Sequence, residues 1–211
     1  MPSLGQLLAA HAPILVLDAA STRVQVGWFP TGDLSAAKWA TAEEEAGVGI
    51  FRGIERLAID VGTAAAFVFC DGPGSTLGVR TTAIALRTWH VLAPRPIYAY
   101  HSLAVLAAAV GRTDVTIIAD ARRDSWHTLK LGGPLRRATA VELAGSLMTP
   151  ENFRHWSPLP TATTQVSYSL AELLPSVAEA DLFRPVDSPD AFLHEEPAYV
   201  TWAPQIHRAP K

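Results

Sequence analysis

The stretch Asp71-Gly72-Pro73-Gly74-Ser75-Thr76-Leu77-Gly78-Val79-Arg80 carries the densest chemical signal in this 211-residue chain. It lies between an apolar run ending at Cys70 and a long helical pattern. Glycines there let the backbone turn tightly and bring its N–H groups close to an anion, and the following helix N-terminus adds positive potential. Two readings follow: a structural strand-to-helix turn, or a phosphate cradle. The Gly-Lys-Ser/Thr ending of a Walker loop is missing, and so is the dinucleotide Gly-x-Gly-x-x-Gly. Ser75 lacks the Gly-x-Ser-x-Gly elbow of a hydrolase nucleophile, so a serine triad has no support.

Three aspartates, Asp18, Asp71 and Asp120, stand at the ends of apolar runs, where a carboxylate either caps a turn or serves chemistry. Asp18 is followed by Ala19-Ala20-Ser21 and Asp120 by Ala121-Arg122-Arg123, so side chains occupy both turns where a phosphate needs glycine. His11, His90, His101, His127, His155, His194 and His207 are scattered without ligand spacing, and His101 stands alone at a strand-to-helix junction. The single cysteine, Cys70, excludes an intrachain disulfide and a multi-cysteine metal site. No cofactor and no metal are expected.

The elements that must hold these residues are legible from hydrophobic period. Ile14 to Asp18 reads as a buried strand, and 23–29 alternates polar and apolar as its hairpin partner. A helix is expected over 43–59, with Glu43, Glu44 and Glu45 near its dipole-favoured start, and a longer one over 76–92, stopped by Pro94 and Pro96. Residues 97–100 form a short strand and 102–110 an alanine-rich helix closed by Gly111. The opening is repeated loosely by the apolar run 114–120 and the strand 125–131. After Pro150 the chain turns proline-rich, with helical pieces expected at 171–174 and 176–182. Strands alternating with helices, in two halves, predict an α/β protein with mixed sheets flanked by helices, divided at about 1–110 and 111–211.

About half of the residues are hydrophobic and 18% are charged, which predicts a real core and excludes intrinsic disorder. The net charge of -3 supplies no whole-chain field for nucleic acid. No apolar run approaches the length that crosses a bilayer, and no leader opens the sequence, so a cytoplasmic location without membrane contact is the expectation.

Read in order, residues 14–22, 72–80, Ser102-Leu103-Ala104-Val105-Leu106-Ala107 and Asp120-Ala121-Arg122-Arg123 resemble the successive motifs of the TsaB (YeaZ) family. That family opens on Ile-Leu-Ala-Ile-Asp-Thr-Ser-Thr, continues with Gly-Pro-Gly-Ser-Phe-Thr-Gly-Leu-Arg before a long helix and a Ser-Leu-Glu-Ala-Leu-Ala helix, then ends a strand on Asp-Ala-Arg. The resemblance covers roughly residues 13 to 130, and Pro197-Ala198-Tyr199-Val200 looks like the family's closing motif. The residues that carry it are Asp18, Ser21, Gly72, Pro73, Gly74, Ser75, Gly78, Arg80, Asp120 and Arg122. Departures are Ala19-Ala20-Ser21 in place of Thr-Ser-Thr and Thr76-Leu77 in place of Phe-Thr, so that a contact of that aromatic ring is lost or supplied elsewhere.

The resemblance implies the actin-like ATPase fold of two ribonuclease-H-like halves. It also implies an accessory rather than catalytic role in making N6-threonylcarbamoyladenosine in tRNA, beside the catalytic subunit TsaD and the ATPase TsaE. The peptidase label of the superfamily is not expected to hold, and tRNA contact is expected only through the complex. The partner surface implied, for TsaD or for a second copy in a homodimer, is formed by Gly47, Gly49, Gly53, Ile54, Gly74, Ser75, Leu77, Arg80, Thr81, Ile84, Ala85 and Thr88. Part of that set must instead face its own sheet. Two rival expectations are a small ATP-dependent phosphotransferase of the same fold and a diverged homodimeric interaction module.

Overall fold

The computed structural model describes residues 1–192. After helix α1 (Leu4–His11), strands β1 (Ile14–Asp18), β2 (Val24–Phe29) and β3 (Lys38–Ala42) form an antiparallel meander. Helix α2 (Ala46–Arg56) leads to β4 (Ala66–Gly72), and helix α3 (Thr76–Leu92) leads to β5 (Ile97–His101). Both of these strands run parallel to β1, giving the order β5-β4-β1-β2-β3. The chain then passes through helix α4 (Ser102–Val110), which ends where Gly111 takes a left-handed conformation and donates its N–H to the Ala107 carbonyl.

The second half repeats the plan. Strands β6 (Val115–Asp120), β7 (Ser125–Lys130) and β8 (Arg136–Thr139) form a meander, and β9 (Ser146–Pro150) and β10 (Thr163–Val166) add in parallel. Their order is β10-β9-β6-β7-β8, the same as in the first sheet. Three antiparallel strands followed by two parallel ones, twice, is the ribonuclease-H-like plan of the actin-like fold. Helix α5 (Leu170–Ser176) follows, and the short strand β11 (Arg184–Pro185) returns to pair with β5 at the edge of the first sheet. The helical piece expected over 176–182 is not formed: α5 ends at Ser176 and the chain turns, with Ala180 N–H bonding the Val177 carbonyl.

Burial explains the strand sequences. β1 and β4 are buried along their whole length, as expected for central parallel strands covered on both faces. One face carries Leu15, Leu17, Val24, Val26, Phe67 and Phe69 against Ile50 and Ile54 of α2 and Ala83 and Leu86 of α3. On the other face Ile14, Val16 and Val68 join Leu103 and Leu106 of α4, Leu170 and Leu174 of α5, and Ile117 and Leu129 of the second sheet in one continuous core. The far face of the second sheet has only a small cluster, Ile118, Trp126 and Leu147 with Leu143 and Leu159 packed against it. Among the described residues no helix is long and apolar enough to cross a membrane.

Candidate functional site

The glycine-rich turn between β4 and α3 is pressed against the β1–β2 turn. Ser75 donates its backbone N–H to the Ala20 carbonyl at 2.7 Å, and its side chain caps α3 by accepting from Gly78 N–H at 3.2 Å. A Cβ on Gly74, whose φ is +154°, would lie 2.3 Å from the Ala20 oxygen, and one on Gly78 would lie 2.1 Å from the Ala19 oxygen. Both glycines are therefore required by backbone-to-backbone contact. Ala19 and Ala20 are buried beneath them, and Ser102 Oγ fastens the turn from α4 by donating to the Pro73 carbonyl at 2.6 Å. Gly74, Ser75 and Gly78 thus meet Ala19 and Ala20 in a packed joint, which the Pro73 carbonyl ties to α4.

Asp18 lies at the centre of the molecule and is fully buried. Its Oδ1 accepts the Ala20 N–H at 2.8 Å, and its Oδ2 accepts both the Tyr100 hydroxyl at 2.7 Å and the Tyr168 hydroxyl at 2.8 Å. Burial raises the carboxyl above its ordinary range, while those hydrogen bonds pull it down. Burial, reinforced by the Asp18 charge, holds both tyrosine hydroxyls well above the usual tyrosine range, so they remain donors. Beside Asp18 across the β1–β2 hairpin, Gln25 brackets the same segment: its amide donates to the Tyr168 carbonyl at 3.0 Å and accepts the Leu170 N–H at 2.8 Å. Asp18 is thus a tie between the two halves.

The other two aspartates are also engaged. Asp71 is buried, accepting from His101 Nδ1 at 2.8 Å and pairing with Arg184 of β11, and its carbonyl accepts the Phe192 N–H. Asp120 accepts the Arg122 N–H at 2.6 Å and, on its other oxygen, the N–H groups of Trp156 and Ser157 at 2.7 Å each. Each carboxylate therefore organises loops around the end of its strand. Ser21 bonds within its own turn, accepting the Arg23 N–H and donating to the Arg23 carbonyl.

Residues expected on a partner surface divide between two faces. Gly49, Gly53 and Ile54 turn inward; a Cβ on Gly53 would lie 2.5 Å from the Val26 side chain, and one on Gly49 would meet Val24 and Ala42. Outward lie Gly47, Arg80 and Thr88, together with Leu77 (71% exposed) and Ile84 (62%), with Thr81 and Ala85 half-buried beside them. Val91 (81% exposed) extends this row, and Phe51 (49%) of α2 flanks it, edge-on to Trp89. Leu77, Thr81, Ile84, Thr88 and Val91 follow alternating intervals of four and three residues, the spacing of a helix seam that meets another helix. Thr81 and Thr88 donate their hydroxyls back to the Leu77 and Ile84 carbonyls, at 2.8 and 3.0 Å, leaving the seam poor in free donors.

Tyr168, Gln25, Trp156 and Arg184 have no motif that marks them in the sequence. Gln25 reads in the sequence as the polar member of an alternating strand, whereas in the structure it is buried. The Pro197-Ala198-Tyr199-Val200 motif lies outside the described residues.

The sequence matches no known family profile and no curated protein. Among solved structures the fold is similar to YeaZ from Pseudomonas aeruginosa, with a TM-score of 0.53 at 19% identity over 65% of this chain and 74% of that one. It is also similar to an uncharacterized protein with similarity to peptidase YeaZ from Pseudomonas aeruginosa, with a TM-score of 0.57 at 18% identity over 78% of this chain and 89% of that one. At this identity the likeness establishes the fold.

Proposed function

We propose that this chain is a TsaB-type subunit that supports a TsaD-type catalytic partner in threonylcarbamoylation of tRNA adenosine, docking through the outward face of α2 and α3. The observation that carries the reading is the seam Leu77-Thr81-Ile84-Thr88-Val91. It is a helix–helix interface pattern that no described element of this chain covers, since its large apolar members stand exposed. The order of the sequence motifs and the YeaZ-like fold support the same assignment.

A catalytic reading fares worse on geometry. A phosphotransferase of this fold needs strand-end carboxylates free to hold a metal–nucleotide complex and glycine turns open to phosphate. Asp18 is saturated by two tyrosines and a backbone amide, and the turn glycines abut the β1–β2 backbone. Calorimetry with ATP and magnesium on the isolated chain is expected to show no heat of binding, and a stoichiometric signal would favour the phosphotransferase.

The scaffold reading is tested by co-expression with TsaD from the same organism. The parent chain is expected to co-purify with it, whereas Ile84→Glu places a charge in the seam and abolishes co-purification while the chain stays folded. Loss of the gene is expected to remove the modified nucleoside from total tRNA. A normal nucleoside profile, or undiminished co-purification of the Ile84→Glu chain, would sink the proposal.

A further inference from the structure

The structure holds one arrangement that the docking face does not use. Where β6 ends, Arg122, Arg123 and Asp124 take φ values of 63°, 52° and 54°, a run of left-handed non-glycine residues that side chains disfavour. The run persists because its surroundings fix it. Ala121 N–H bonds the Ser125 carbonyl at 2.9 Å, and Ser125 Oγ bonds the Arg122 carbonyl at 2.6 Å. Arg137 donates to Ser125 Oγ at 2.8 Å and to the Ala121 carbonyl at 3.3 Å. Asp120 pins the other side, holding the Arg122 amide with one oxygen and the Trp156 and Ser157 amides with the other. This scaffolding sets the Arg122 guanidinium over the Trp156 ring, 4.8 Å from its centroid, while the indole remains 62% exposed.

The stack opens on a cleft of about 250 Å³ between the two halves, whose other wall is the start of α3. Arg154 lines the same cleft, and Asp120, the carboxylate on its wall, is already bonded by three backbone amides. Glu43, Glu44 and Glu45 line a separate groove that Arg154 also borders. Neither Arg122 nor Arg154 forms an ion pair among the described residues. An exposed aromatic with a guanidinium plane on its face, and a second cation nearby, is the chemistry that recognises a base and its phosphate. In the turn beside it the Ser75 and Gly78 amides are bonded internally, which leaves fewer donors for a polyphosphate and favours a strand over a free nucleoside triphosphate.

We propose that the Trp156–Arg122 stack and Arg154 form a binding site for an unpaired nucleotide of an RNA strand, its base continuing the stack and its phosphate meeting Arg154. The site rests on the scaffold reading and deepens it by giving this chain its own contact with the RNA, in place of one made only through the partner. The test is fluorescence anisotropy of the full chain with a labelled RNA stem-loop whose loop is unpaired, the same stem as a blunt duplex, and ATP as competitor. The stem-loop is expected to bind more tightly than the duplex. Trp156→Ala and Arg122→Ala should each weaken it by roughly tenfold, and Trp156→Phe should retain most of the affinity. Arg154→Ala should lower the salt slope by about one unit. Unfolding midpoints of these exposed-site variants should match the parent, which separates lost binding from lost folding. Absence of stem-loop binding, equal binding of the duplex, displacement by ATP, or unchanged affinity of both alanine variants would overturn the proposal. Lost RNA binding by a Trp156→Ala chain that still co-purifies with TsaD supports it. A chain that binds RNA through Trp156 yet never holds TsaD would overturn the scaffold reading and leave this site standing.

Discussion

The two sheets share one strand order but are covered differently. In the first half, α2 and α3 pack over one sheet face, and Leu15, Leu17, Phe67 and Phe69 are completely shielded from solvent. In the second, the connection before β9 holds only the short 3-10 turn Ala140–Glu142 and the one before β10 is a loop, so the equivalent face is covered over Ile118, Trp126 and Leu147 alone and opens beside them as a groove. Thr116 and Thr128 line that groove beside Lys130 and Arg136. The backbone ladder and the shared inner core with α4 and α5 hold the strand order in both halves, whereas outer helices are needed only where the outer face is apolar along its length. The half with outer helices has the candidate docking seam, and the half without them presents the Arg122–Trp156 stack.

The sharpest way to break this comparison is to truncate one large side chain in each outer cluster. Phe69→Ala, in the helix-covered face, is expected to cost about 3–5 kcal/mol in urea unfolding, and Leu147→Ala, in the sparse cluster, only about 2 kcal/mol. Equal losses would mean that the second face is as well packed as the first.

The tie between the halves comes next. Asp18→Ala leaves the buried Tyr100 and Tyr168 hydroxyls without their acceptor, at about 1–3 kcal/mol each, whereas Asp18→Asn keeps an acceptor oxygen. The raised carboxyl gives a sign as well. The folded state holds this proton more tightly than the unfolded chain, so the contribution of Asp18 is fully present below the unfolded value of 3.8 and is lost as pH rises through the folded one. Asp18→Asn should therefore gain on the parent as pH rises across that window, measured as the difference of unfolding free energies, and a flat difference would refute the raised value.

Smaller effects separate packed glycines from open ones. Gly78→Ala is expected to cost about 1–3 kcal/mol because its Cβ meets the Ala19 carbonyl. Gly47→Ala, with nothing within 4 Å, should stabilise α2 by about 0.5–1 kcal/mol in thermal unfolding.

Much of the first half was legible because its signals are local. Gly111 caps α4 where the sequence places it, and the apolar runs at β1, β4 and β6 need only burial on both faces to be recognised. α1, β3, β8, β9, β10 and β11 were missed. α1 is a short amphipathic segment whose burial depends on distant contacts, such as Gly5 N–H to the Ala178 carbonyl. The strands are short, and β3, β8 and β10 lie at or near sheet edges with mixed patterns that β-pairing stabilises only after the sheet exists. The sequence placed Asp18, Asp71 and Asp120 at strand ends and the glycines between β4 and α3, and could go no further.

Order of elements, the glycine turn and the helix caps were determined by the chain itself, since each rests on residues a few positions apart. Which partner each aspartate takes, and which glycines face inward, was decided only by tertiary structure. Tyr168 reaches Asp18 from 150 residues away, Arg184 reaches Asp71 from 113, and Trp156 joins Arg122 through a loop held by Asp120. Such pairings leave no periodic trace, because they are set by how two separately built sheets come to rest on one core.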